Sequence, residues 1–401
     1  MAPSGSGAAA LIASCAAIFW PGAIVFGLSG ALSSHWQELF GVGRAEVGQT
    51  LFFMLVAVGS GMFLVGRWME RYGARTMIVV GGLLSGPTMV LAGLIEHVYL
   101  LYLWAFLFGT VTCFIYMPSI TVVQLWFPEK KGLVSGVFNT AFAISAAIMA
   151  PLFGMMMEAL GYLGLTLVLG LIALLTVLGS ARFLVPPGQD GPQSAPAGGP
   201  GIGPVPSLTL GQSLKTRNFW MLWLTWAFSG AAGIAMITNA LPFGLSRGLT
   251  IQEAVYLVAA FNLTSGLSRL ASGFLSDLLG RRMIMSLTFL AASLAYLALP
   301  HLDGLILWSI LAAVIGFAFG TMWAVSAPLA ADCFGMAHFG QVFGLLYTAY
   351  GYVAGAIGPW LSGYLADLGI GFTLIFTYLA GLQLVTVVLI RLVRPPGGQR
   401  G

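Results

Sequence analysis

Apolar residues along this chain run in long unbroken blocks, with neither the alternation of half-buried strands nor the stripes of surface helices. Blocks bounded by charges or turn residues fall at residues 8–33, 46–66, 76–95, 98–126, 132–157 and 160–185, and again at 219–246, 252–276, 283–300, 304–333, 339–366 and 370–392. About 20 apolar residues of helix cross the hydrocarbon of a bilayer. The pattern therefore predicts an all-α polytopic membrane protein with twelve transmembrane helices in two six-helix halves. Between the halves, PPGQDGPQSAPAGGPGIGPVPS (Pro186 to Ser207) is rich in Pro and Gly and has no apolar period, as expected of a tether. The expected organisation is a first half at 1–185, a cytoplasmic linker at 186–218 and a second half at 219–401, with Leu208 to Arg217 as a short amphipathic lead-in.

Composition narrows the function classes. The chain is 59% hydrophobic and 7% charged, whereas soluble domains carry about 25% charged residues. Orientation follows from the basic residues at the span ends. With both termini cytoplasmic, thirteen of the sixteen Lys and Arg fall inside, from Arg67 to Arg400, and only Arg44 and Arg247 fall outside. The formal charge of +4 thus reports topology in an inner (plasma) membrane and gives no case for nucleic-acid binding. No Lys or Arg precedes Ala8, so the basic region of a cleaved signal is missing and the first block reads as a retained span. Cys15, Cys113 and Cys333 lie singly in apolar blocks, without metal-ligand spacing. No HExxH, Walker loop or dinucleotide fingerprint is present, so neither an enzyme nor a cofactor is indicated.

An internal repeat supports the six-plus-six division. Gly66, Glu70, Gly73 and Arg75 follow the second block, and Gly273, Asp277, Gly280 and Arg282 follow the eighth, each pair 207 residues apart. Gly132, Gly136 and Pro151 are echoed by Gly340, Gly344 and Pro359 at an offset of 208. Parallel six-span repeats are a common plan of secondary transporters, with the site at midplane. One permanent charge lies about midway along a span, Arg269 in the eighth. Such a charge is costly in lipid, so it is expected to face a protein cavity and hold an anion. Ser265 and Asn262, one and two turns earlier, share its helical face.

The spacing G-x-x-x-[DE]-x-x-G-x-R, once in each half, resembles the loop signature of the major facilitator superfamily. Within it, WFPEKKGLVSG (Trp126 to Gly136), RNFWMLWL (Arg217 to Leu224) and GLLYTAYG (Gly344 to Gly351) are similar to segments of monocarboxylate carriers and of the oxalate/formate antiporter. The resemblance implies a secondary transporter of small monocarboxylates such as L-lactate or pyruvate, with Arg269 as the eighth-span arginine that meets the carboxylate. It also implies coupling to a proton. An organic anion exchanger is the alternative, and a non-transporting sensor a remoter one. Three features of the animal carriers are missing: the aspartate one turn before the arginine is Ser265, no lysine stands near Leu28 to Gly30, and the acidic, tryptophan-rich opening of the first span is absent. The antiporter's lysine in the eleventh span is here Tyr350.

Further candidates for substrate contact are Tyr116, Asn139, Asn239, Tyr347, Tyr350 and Leu28, with Phe142, Phe261 and Trp323 assigned to packing. Gly66, Glu70, Arg71, Arg75, Asp277, Arg281 and Arg282 are candidates for a gate in which acids and arginines pair. The lipid bilayer, a small monocarboxylate and a proton are the expected partners, with a monomer as an open possibility.

Overall fold

The computed structural model describes residues 5–187 and 207–396. Most of the expected linker (188–206) and Arg400 lie outside the described residues.

Among the described residues, twelve helical spans follow one another. We number them α1 (Gly7–Ala31), α2 (Arg44–Tyr72), α3 (Ala74–Gly93), α4 (Val98–Trp126), α5 (131–160), α6 (162–180), α7 (Arg217–Ser246), α8 (Ile251–Leu279), α9 (Arg281–Ala298), α10 (Leu305–Phe334), α11 (339–367) and α12 (Phe372–Leu392). Helices α5 and α6 form one continuous run, Lys131–Ser180, broken at Gly161, whose φ of +70° only glycine adopts without strain. Most Pro-containing spans stay helical, as a bundle permits. Helix α1 widens at Ala23–Leu28, just after Pro21, and α11 widens at Ala349–Ala354 and Ala356–Trp360, around Pro359. In such turns the hydrogen bonds skip one extra residue, which frees carbonyls and rotates the side chains that follow. The Tyr378 hydroxyl of α12 donates to the Gly358 carbonyl at 3.1 Å.

The chain forms two compact units. The first comprises residues 1–128, 138–204 and 338–345, and the second 129–137, 205–337 and 346–401. The first unit is cored by Leu28, Trp36, Met54, Trp104, Phe108 and Phe153. In the second, the small buried face of α8 (Ser265, Ser268, Ser272, Ser276) packs on α10. Thr264 donates to the Ala313 carbonyl at 2.7 Å, and Ser272 and Thr321 hydroxyls meet at 2.6 Å.

The two sequence echoes turn out to be one device. In the second unit, a Cβ on Gly132 or on Gly273 would strike the other's carbonyl, and one on Gly136 would strike the carbonyl of Arg269. In the first unit, a Cβ on Gly66 would strike the Gly340 carbonyl, and one on Gly344 the Met62 carbonyl. The GxxxG at the start of α5 and of α11 is therefore backbone laid on backbone, as small-residue motifs allow in membranes. The signature's later glycines do something else. Gly73 (φ +84°) and Gly280 (φ +94°) end α2 and α8 in backbone conformations that a side chain would strain.

This packing sets a stability expectation. Gly273→Leu forces side-chain atoms into backbone and should cost about 1–3 kcal/mol, read as a lowered thermal midpoint of the purified protein. Gly266→Leu on the same helix meets open space and should leave the midpoint unchanged. Equal midpoints for the two variants would show that the contact is not close.

Candidate functional site

Arg269 projects from the middle of α8 and is 8% exposed. Its guanidinium carbon lies 5.8 Å from the ring centroid of Trp323 on α10, a cation–π distance. Trp323 is in turn edge-on to Tyr350 of α11, with centroids 5.0 Å apart, and to Trp226 of α7 at 5.3 Å. Tyr347 closes the group, its ring 4.7 Å from that of Trp226. Four helices thus place two indoles and two phenols beside one fixed cation. Local sequence accounts for the arrangement. Gly230 on α7 leaves room for the Tyr350 ring, Gly233 leaves room for Phe319, and the widened turn beginning at Ala349 sets the angle between Tyr347 and Tyr350.

The chemistry follows from these parts. A guanidinium offers a planar fork of donors that matches a carboxylate in two parallel hydrogen bonds. Aromatic walls exclude water, which strengthens that attraction, and present two neutral hydroxyls. Sequence reasoning passed over Trp226 and assigned Trp323 to packing. An indole in an apolar span looks the same whether it packs or lines a site, and only its position under Arg269 distinguishes it.

The other candidates divide. Ser265 is buried one turn before Arg269, whereas Asn262, two turns before, is exposed. Asn239 is tied into the bundle, its amide donating to the Ala235 carbonyl at 2.7 Å and to the Ser362 hydroxyl at 2.8 Å. In the first unit, Tyr116 donates to the Asn139 side chain at 2.9 Å beneath Phe138 and Phe142. Leu28 is wholly buried in that unit's apolar core, so the structure gives it a packing position.

The gate candidates also separate. Asp277 accepts hydrogen bonds from the backbone N–H groups of Gly132 (2.9 Å) and Leu133 (2.8 Å), capping the start of α5 with a full negative charge at the positive end of the helix. Arg281 pairs with Asp277 at 3.4 Å and with Asp332, and Lys131 reaches Asp332 at 3.3 Å. Glu70, the repeat counterpart, differs from expectation: its carboxylate is held by His338, at 2.9 Å, and by Gln341, at the start of α11. Among the described residues none of the expected arginine partners reaches it. Arg71 leaves the helix about 100° around from Glu70 and lies over the Tyr72 ring, and Arg75 comes after the turn at Gly73. Arg282 likewise takes a backbone partner, the Val393 carbonyl at 2.7 Å.

Comparison with known proteins accords with this architecture. The family model of the Major Facilitator Superfamily matches residues 10–299 and 243–401. The oxalate:formate antiporter of Oxalobacter formigenes is 25% identical over 316 residues, 78% of this chain and 74% of that protein. Monocarboxylate transporter 2 of Meriones unguiculatus is 26% identical over 351 residues, covering 82% and 72%. Among solved structures, the E. coli fucose:proton symporter superposes with a TM-score of 0.70 at 15% identity, over 96% of this chain and 98% of that one, a likeness of fold. With both segments of the family model covering the twelve-helix chain, this protein belongs to the Major Facilitator Superfamily and is one of its multi-pass membrane transporters.

Proposed function

We propose that the chain carries a small monocarboxylate, of the L-lactate or pyruvate type, across an inner (plasma) membrane together with a proton, by alternating access of two halves joined through the linker at 186–218, with both termini cytoplasmic. The observation that carries this reading is Arg269, a single guanidinium held midway along a span beside Trp323 and Tyr350. A carboxylate entering an apolar cavity loses hydration, and a fixed cation with a bidentate fork offsets that loss. Ser265 and the Tyr347 and Tyr350 hydroxyls are suited to a substrate hydroxyl or keto oxygen, and in the first unit the hydrogen-bonded pair of Tyr116 and Asn139 is suited to the same task. The relatives' names support an organic anion as cargo. Asp277, which caps the start of α5, and Glu70, which takes the side chains of His338 and Gln341, serve as the gate, with Gly66, Arg71, Arg75, Arg281 and Arg282 as its further residues. They hold the starts of α5 and α11 in one state and release them in the other.

Arg269→Gln should reduce uptake of labelled lactate into liposomes to background while expression and thermal midpoint stay near those of the parent. Arg269→Lys should also be poor, since a point charge does not reproduce the fork. Near-parental uptake by the Gln variant would remove the arginine from the mechanism.

Substrate charge is the second test. A dicarboxylate brings two charges to one fixed cation, leaving an unpaired ion whose burial costs several kcal/mol, and about 1.4 kcal/mol is tenfold in affinity. Unlabelled oxalate at neutral pH should therefore compete with lactate at least tenfold more weakly than lactate itself, and Tyr350→Lys should narrow that gap. Equal competition by oxalate would mean that charge count does not set specificity.

Coupling is read in the same liposomes. An inward proton gradient should accelerate lactate accumulation. Uptake that ignores the gradient but responds to a trapped internal anion would replace symport by exchange.

A further inference from the structure

The last turns of α2 read Arg67-Trp68-Met69-Glu70-Arg71-Tyr72. Spacing of four puts Arg67 and Arg71 on one stripe of the helix, and Leu64, Trp68 and Tyr72 on the next. The three apolar-to-amphipathic residues of that second stripe are 43%, 40% and 52% exposed. They grade from a pure hydrocarbon side chain, inside the apolar run, to two rings with polar tips at the helix end, the order found where a span meets the membrane–water interface. The two arginines, Trp68 and Tyr72, with Glu70 and Gln341, line an open recess of about 440 Å³ in the first unit.

The charge state of that recess is set by who holds the acid. Glu70 is occupied by His338 and Gln341, and among the described residues neither Arg67 nor Arg71 has an ion pair. Arg71 lies over the Tyr72 ring, its guanidinium carbon 5.3 Å from the ring centroid. Two cations without carboxylate partners therefore flank a recess that continues into an exposed apolar stripe. A free anion would use the first feature only; an amphiphile with an anionic head uses both.

We infer that this recess binds the phosphate headgroup of an anionic phospholipid, with Arg67 and Arg71 on the phosphate oxygens and Leu64, Trp68 and Tyr72 alongside the glycerol and upper acyl chain. The charge-assisted fork of arginine suits phosphate oxygens. The lipid would then press on the same helix end that presents Glu70 to the start of α11.

The full-length chain, purified in detergent, is titrated with phosphatidylglycerol or phosphatidylcholine and the retained lipid counted by native mass spectrometry. One phosphatidylglycerol should be retained at concentrations where phosphatidylcholine is not. Arg67→Gln/Arg71→Gln should weaken that retention about tenfold or more, the loss of roughly one charge-assisted contact or greater. Arg67→Gln alone should weaken it less, and serves if the double variant does not fold. Arg391→Gln/Arg394→Gln, a cationic pair at another span end, should leave it unchanged, and millimolar glycerol phosphate should not displace the lipid. The inference is overturned by undiminished retention in the Arg67/Arg71 variants, by equal loss in the Arg391/Arg394 variant, which would mean diffuse surface charge, or by displacement with glycerol phosphate, which would make the site one for free phosphate esters.

Discussion

A permanent charge in the middle of a membrane helix must be accommodated by its neighbours. Placing arginine there costs about 2.5–3.5 kcal/mol on insertion scales, and the structure around Arg269 is shaped by that cost. The helix that carries it is lined with serines on its buried face, so that α10 approaches closely and brings Trp323 under the guanidinium. On the other side, Gly136 brings the start of α5 against the carbonyl of Arg269 itself. The side chain is directed by packing of bare backbone behind it and by an aromatic surface in front.

The same economy appears at the helix ends. Asp277 does not simply find the nearest arginine. It satisfies two backbone donors at the start of α5 and is then flanked by Arg281, which also reaches Asp332. A carboxylate at a helix N-terminus serves several donors at once and is correspondingly strong. Glu70, at the equivalent place in the repeat, is held by the side chains of His338 and Gln341, so the two acids share a position and differ in what they hold.

How far the sequence was legible depended on whether the signal was local. The spans were legible because hydrocarbon thickness imposes a length on apolar runs, and the boundary expected between 157 and 160 lies close to Gly161, where one continuous run breaks. The glycine echoes were visible at offsets of 207 and 208, but that each glycine opposes a specific carbonyl is tertiary information. Arg269 stood out because charge is rare in its surroundings. Trp226 and Trp323 did not, because aromatic residues are common there. The partners of Glu70 were misread for a related reason: sequence adjacency favours Arg71, whereas helical geometry turns that residue away and a residue 268 positions later arrives instead.

One consequence of the repeat remains in the pair Met62 and Arg269, which occupy equivalent places 207 residues apart, each with its carbonyl opposite the second glycine of a pair. The duplication supplies two such positions and only one is charged. In a carrier working as proposed above, exposing that fixed charge first to one side and then to the other moves it through part of the membrane potential, which acts on a unit charge with about 2.3 kcal/mol per 100 mV. A bound monoanion offsets this charge and the accompanying proton restores it, so the loaded and the empty site cross with the same net charge. Voltage then acts on both passages in opposite senses, and the full cycle moves no net charge.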